Sequence, residues 1–174
     1  RRWAQVLEAG RGIVTPARRA RDLVELARAQ LRAHAVSDAV ATCASAVELA
    51  RHLGDATVLA EAALVVQGIS DAELLTAQRG WCDDALAAIG PGDGPLRAQL
   101  LAQLAHTLLF LGRPDEVEAR SREALAMAER IGDPASLVAA LRARQLARSG
   151  PEGHAERYAL GTRMLDVAAG DPDI

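Results

Sequence analysis

The chain has 174 residues, half of them hydrophobic and a quarter charged, with a formal net charge of −3 at pH 7 and a pI near 5.8. This length supports one domain with a substantial core, and the make-up excludes a disordered or membrane-embedded chain. The mild acidity excludes the concentrated basic face of a nucleic-acid footprint, and no window approaches the roughly 18 consecutive apolar residues of a membrane span.

The apolar content is mostly Ala and Leu, and the aromatics are only Trp3, Trp81, Phe110 and Tyr158. Such a mixture favours helix over strand, so the expected class is all-α. The start, "RRWAQVLEAGRG", lacks the apolar core of a signal peptide, which makes the cytoplasm the expected location. It also lacks an initial Met, and the chain stops at "GDPDI", so a longer parent protein is expected.

Residues 1–16 read as a lead-in segment, with Thr15-Pro16 carrying helix-starting character. Helices are expected near 17–33, 37–53, 56–67, 71–89, 95–111, 114–131, 134–148 and 151–169, with "GPGDGP" (90–95) as the clearest loop. Gly-Asp occurs at Gly54-Asp55, Gly92-Asp93, Gly132-Asp133 and Gly170-Asp171, at intervals of 38, 40 and 38 residues. An apolar residue follows each Asp by three or four positions: Leu59, Leu96, Leu137 and Ile174. Gly closes a helix in the left-handed conformation, and Asp accepts hydrogen bonds from the free N–H groups of the next helix. Each interval holds two helices joined by a turn, so the unit is a helical hairpin. The expected units lie near 17–54, 55–92, 93–132 and 133–170, within a repeat domain spanning 17–174.

The apolar pattern repeats as well. "LVELA" (Leu23, Leu26, Ala27) and "LAQLA" (Leu101, Leu104, Ala105) place two Leu and one Ala on one stripe of a first helix. In the second helices Ala39, Cys43 and Ala46 match Val117, Ser121 and Ala124, small residues that let neighbouring helices approach closely. This resembles the tetratricopeptide repeat, and implies antiparallel hairpins stacked as a right-handed superhelix of about four repeats. The period is 38–40 residues rather than the usual 34.

"RARDLVELARAQLRAHAVSDAVATCASAVELARHLGD", "WCDDALAAIGPGDGPLRAQLLAQLA" and "EALAMAERIGDPASLVAALRARQLA" together look like the repeat region of large ATP-binding LuxR-type (LAL) regulators of high-GC bacteria. The resemblance implies a non-catalytic regulatory segment that binds an effector or protein partner. It would relay that state to ATPase and DNA-binding domains elsewhere in the protein. The alternative is a general scaffold for protein partners, unrelated to transcription.

Candidate chemistry is sparse. Every basic residue is Arg, so a Walker-type phosphate loop, which needs Lys, is excluded, and no cofactor is expected in this segment. Cys43 and Cys82 lie one repeat apart at equivalent small positions and read as packing residues. His34, His52, His106 and His154 have no partner at metal-ligand spacing, so no metal is expected. Asp83-Asp84 and Asp115-Glu116 read as surface or capping acids, and there is no Gly-x-Ser-x-Gly or comparable nucleophile context, so no catalytic residue is assigned.

A binding groove is the sharper candidate, on the concave side lined by the first helix of each hairpin. Positions offset from the core stripe are Arg21, Val24, Arg28, Leu31 and Arg32, then Gln67, then Gln99, His106 and Phe110, and finally Arg144 and Arg148. Basic ends around a polar and aromatic middle suit an acidic peptide, an anionic small-molecule effector or another domain of the same protein. The competing reading is a solvated face whose Arg residues pair with Glu25 and other neighbours. The last hairpin is expected to leave an open end, where a homo-oligomer would form.

Overall fold

The computed structural model describes residues 15–68 and 71–170. Among these, eight α-helices follow one another and no strand occurs: α1 (Pro16–Arg32), α2 (Val36–Leu53), α3 (Ala56–Val65), α4 (Ala72–Ile89), α5 (Pro95–Phe110), α6 (Pro114–Ile131), α7 (Pro134–Ala147) and α8 (His154–Gly170). A 3-10 turn, Pro151–Gly153, leads into α8. All eight expected helices are present, with ends displaced by at most three residues, as fraying and 3-10 turns allow. Residues 1–14 of the lead-in segment, together with Asp171 and Ile174, lie outside the described residues.

The described residues form two compact units, residues 15–68 and 71–170. The division falls between the two helices of the expected second hairpin. In the first unit α1 packs on α2, and α3 packs on both. In the second, α5 pairs with α6, α7 packs on both, α4 lies against α5, and α8 lies against α7. A first helix thus touches its own partner and the first helix of the next hairpin, which is the neighbour pattern of a helical repeat.

The first and third hairpins keep one register, 78 residues apart, as Gly54 and Gly132 show. Ala20 and Ala98, Ala27 and Ala105, Ala46 and Ala124, and Ala50 and Ala128 are all at most 1% exposed. The small positions read from sequence are buried throughout: Ala39, Cys43 and Ala46 in α2, and Val117, Ser121 and Ala124 in α6. In the second unit Leu101, Met127 and Ala140 join Ala98, Ala105 and Ala124 in one apolar cluster, with Leu86, Leu125 and Leu137 packed against it. Leu23 and Leu26, expected on the core stripe of α1, are only partly buried, whereas their matches Leu101 and Leu104 are at most 2% exposed. On α8, Tyr158 and Leu165 remain 76% and 72% exposed.

Two Gly-Asp hinges work as expected. Gly54 and Gly132 close their helices in the left-handed region at φ 66° and 72°, which an L side chain rarely adopts. Asp55 then accepts from Val58 N at 3.1 Å, and Asp133 from Ser136 N at 2.8 Å. Asp71 and Thr15 cap α4 and α1 in the same way.

The hinge at Gly92-Asp93 departs from this pattern. The N-cap of α5 is Gly94, with no side-chain hydrogen bond, and Asp93 instead accepts two hydrogen bonds from Arg130, at 2.7 and 3.1 Å. One extra residue in this turn, Gly94, takes the cap position and leaves Asp93 one residue before it, turned toward the end of α6. Asp133→Ala should therefore cost about 1 kcal/mol of stability by loss of a cap. Asp93→Ala, which loses only an exposed ion pair, should shift the melting temperature less; thermal melts of the two variants would order them.

The turns inside the hairpins also correspond. Gly112 has φ 68°, and its equivalent in the first hairpin is His34, at φ 58°. A histidine tolerates this left-handed position at some conformational cost.

Candidate functional site

The candidate face lies on α1 in the first unit. Arg21 and Arg32 are exposed there, and Arg28 and Leu31 are half-buried. Val24 belongs instead to the core, at 1% exposure, because its side chain points at the neighbouring helices rather than outward. Arg28 pairs with Glu25 and lies 3.8 Å from Glu61 on α3, while Arg21 is 4.0 Å from Asp55. These are partly exposed pairs that neutralise the face locally. Arg32 makes no ion pair among the described residues. Gln67 is exposed beyond α3, and its side-chain amide donates to Leu64 O at 3.0 Å.

The equivalent face of α5 carries different chemistry. Gln99, Gln103, His106 and Phe110 succeed one another at four-, three- and four-residue steps, which places them on one stripe. The Gln99 amide donates to Ser136 Oγ at 3.2 Å, tying α5 to the start of α7. His106 is half-buried and its ring centre lies 5.0 Å from that of Phe110, with the rings tilted by 52°. Burial lowers the His106 pKa from its ordinary 6.5, and the positive charge of Arg142 lowers it further, so the imidazole is neutral at pH 7. Phe110 is 50% exposed. Beneath this stripe the Thr107 hydroxyl, fully buried, lies 3.2 Å from Gln78 Oε1 and 3.0 Å from Gln103 O.

Arg144 and Arg148 are not an open basic end. Arg144 is 6% exposed and donates to Glu118 at 2.6 Å and to Glu156 at 2.9 Å. Arg148 donates to the same two acids, at 3.1 and 2.8 Å. Two guanidiniums and two carboxylates thus close a ring that joins α6, α7 and α8. Arg122 adds a further contact to Glu118 at 2.7 Å. The hydrogen bond from Arg144 holds the Glu118 carboxyl below the usual range against the opposing effect of burial, with the charges of Arg144, Arg148 and Arg122 adding to it. The ring's charge is balanced internally, so it serves packing rather than capture of an anion. Gln99, His106 and Phe110 share one helix face; Arg144 and Arg148 belong to a separate cluster.

Sequence reasoning passed over Gln103 and Arg142. Gln103 sits inside the mostly apolar run "LLAQLAHTLL", where a polar residue one turn before His106 was the available signal. Arg142 lies two positions from Arg144, and the helical rotation between them separates an exposed guanidinium from a buried one.

Both cysteines are buried, and burial pushes each thiol up to about 12. At neutral pH both are protonated and weakly nucleophilic. In the native protein they should react with a disulfide reagent far more slowly than in urea, and equal rates in a thiol titration would contradict this. Among the described residues, no group of three or more His, Cys, Asp or Glu is placed to hold a metal, and no helix is long and apolar enough to cross a membrane. No protein-family model matches the chain, and no curated protein matches it.

Proposed function

We propose that this chain is a non-catalytic, tetratricopeptide-like binding segment of a cytoplasmic LuxR-type transcriptional regulator. In this reading it takes up an effector or protein partner and biases ATPase and DNA-binding domains elsewhere in the protein. The observation that carries a binding role is the contrast between two equivalent helix faces. Across the 78-residue register the buried Ala positions are retained, while Arg21, Arg28 and Arg32 on α1 become Gln99, His106 and Phe110 on α5. A constant core with a varied outer face is what recognition on a repeat scaffold needs, because core residues set stacking and face residues set chemistry. The regulatory assignment is supported by the sequence resemblance alone.

Two measurements test these parts separately. Reading through the parent gene should reveal a phosphate loop before this segment and a helix-turn-helix after it. An uninterrupted run of helical repeats would sink the regulatory assignment. For the α1 face, a Glu-rich peptide titrated by calorimetry should bind an Arg28→Ala, Arg32→Ala variant about tenfold more weakly than the parent chain. Indistinguishable binding would remove that face from the proposal. A ligand transmits a signal only through unequal affinity for two arrangements of the repeats.

A further inference from the structure

The α5 face contains polar groups whose hydrogen-bonding capacity is unspent. Gln103 is 6% exposed, yet its Nε2 is buried without a hydrogen-bond partner, and His106 Nδ1, one turn further along the same stripe, is in the same condition. Such atoms are uncommon, because a bare buried donor forfeits its bond to water and gains nothing for it. On α7, which packs against α5, the exposed Arg142 makes no hydrogen bond or ion pair among the described residues.

The first hairpin shows what these positions lack. By the 78-residue register, Gln103 stands where Glu25 stands, His106 where Arg28 stands, Ala139 where Glu61 stands, and Arg142 where Leu64 stands. In the first hairpin, Glu25 and Glu61 supply carboxylates to Arg28 from within the chain. In the second unit, both acids are gone and a cation has been added. The donors remain, and no acceptor faces them among the described residues.

We propose that Gln103, His106 and Phe110 of α5, with Arg142 of α7, form a binding site for a carboxylate borne on an aromatic body. The inference rests on the reading of this segment as a binding module and names the ligand class for its second unit. A carboxylate only accepts hydrogen bonds and has about four lone-pair sites, enough for the Arg142 fork, an N–H at His106 Nδ1 and the Gln103 amide. One guanidinium beside a neutral imidazole matches a single negative charge. Phe110, half-exposed and tilted against His106, supplies an apolar surface on which an aromatic body is desolvated. Rotation of the His106 ring about Cβ–Cγ, a soft two-fold torsion, is the motion that brings Nδ1 to the ligand.

The test is an NMR titration of the 174-residue chain, with the His106 ring signal identified from a His106→Gln spectrum. The probes are phenylacetate, phenylacetamide and a short peptide ending in Phe with its carboxylate free or amidated. Phenylacetate should shift the His106 signal and raise the His106 pKa, and phenylacetamide should do neither. Arg142→Ala should weaken phenylacetate binding about tenfold or more, as expected when a charge-assisted contact is lost. Gln103→Glu, or Ala139→Glu where the first leaves the chain unfolded by circular dichroism, restores the first hairpin's own acid and should abolish binding.

Stronger binding of the free-acid peptide than of phenylacetate would identify a chain terminus as the carboxylate's source, and the reverse order a small molecule. Either order supports the site. Equal responses to phenylacetate and phenylacetamide, or undiminished binding by Arg142→Ala, would overturn it. Shifts confined to the α1 face would also overturn this site while leaving the binding-module reading intact. Loss of all binding, at both faces and for all probes and the Glu-rich peptide, would remove both.

Discussion

Leu101→Ala should lower stability by about 3 kcal/mol and the melting temperature by about 10 °C. Leu101 is fully buried on α5, the helix on which α4, α6 and α7 all pack, within a cluster otherwise built largely from Ala98, Ala102, Ala105, Ala124, Ala128, Ala140 and Ala143. Alanines allow close helix approach but add little apolar surface each, so the few large side chains carry a disproportionate share of the burial energy. Their neighbours have no flexible bulk with which to refill a vacated site, which places the loss within the range of cavity-forming substitutions. Leu165→Ala is the matching control: at 72% exposure on α8 it should change stability by no more than about 0.5 kcal/mol. Denaturant melts of the two variants check this, and equal midpoints would show that the α5 cluster is not the core.

The second large effect belongs to the ring of Arg144, Arg148, Glu118 and Glu156. Arg144→Ala removes a guanidinium whose side chain is 7% exposed and leaves Glu118 and Glu156 facing each other with only the more exposed Arg148 between them. Breaking a buried ion pair from one side costs about 3–5 kcal/mol; a loss of about 2–3 kcal/mol is expected here, because Arg148 and Arg122 still neutralise part of the acid charge. Glu118→Gln should cost less than Arg144→Ala, and the double change Arg144→Ala, Glu118→Gln should cost less than the sum of its parts. The difference is the coupling energy of the pair.

The ring also sets an acid limit. The Glu118 pKa is lowered in the folded state from 4.5, chiefly by its hydrogen bond from Arg144, so its contribution is fully present above about pH 4.5 and is lost as the pH falls through the lowered value. Melting temperatures taken from pH 6 downward should fall less steeply in Glu118→Gln than in the parent chain. Parallel curves would show that Glu118 does not take part. Because the ring joins α6 and α7 to α8, its acid loss should be felt first where α8 meets α7.

Much of this molecule is decided by local rules. Helix ends, the Gly54 and Gly132 closures, the Asp55 and Asp133 caps and the small positions Cys43 and Ser121 depend on residues at most four apart, and periodicity exposes them directly. The all-α class and the hairpin unit follow from the same information. Other features depend on which helix covers which face. Val24 and Arg28 lie one turn apart on α1, yet one is core and the other is half-buried beside two acids. Arg144 was legible as a cation, but its burial requires Glu118, 26 residues before it, and Glu156, 12 residues after it. Asp93 reads as a cap until one extra turn residue delivers it to Arg130. Sequence alone determined the helices, their joints and their 78-residue register. Only the tertiary structure decided which charges were already paired and which donors on α5 and α7 have no partner among the described residues, because charge balance is settled between helices rather than along them.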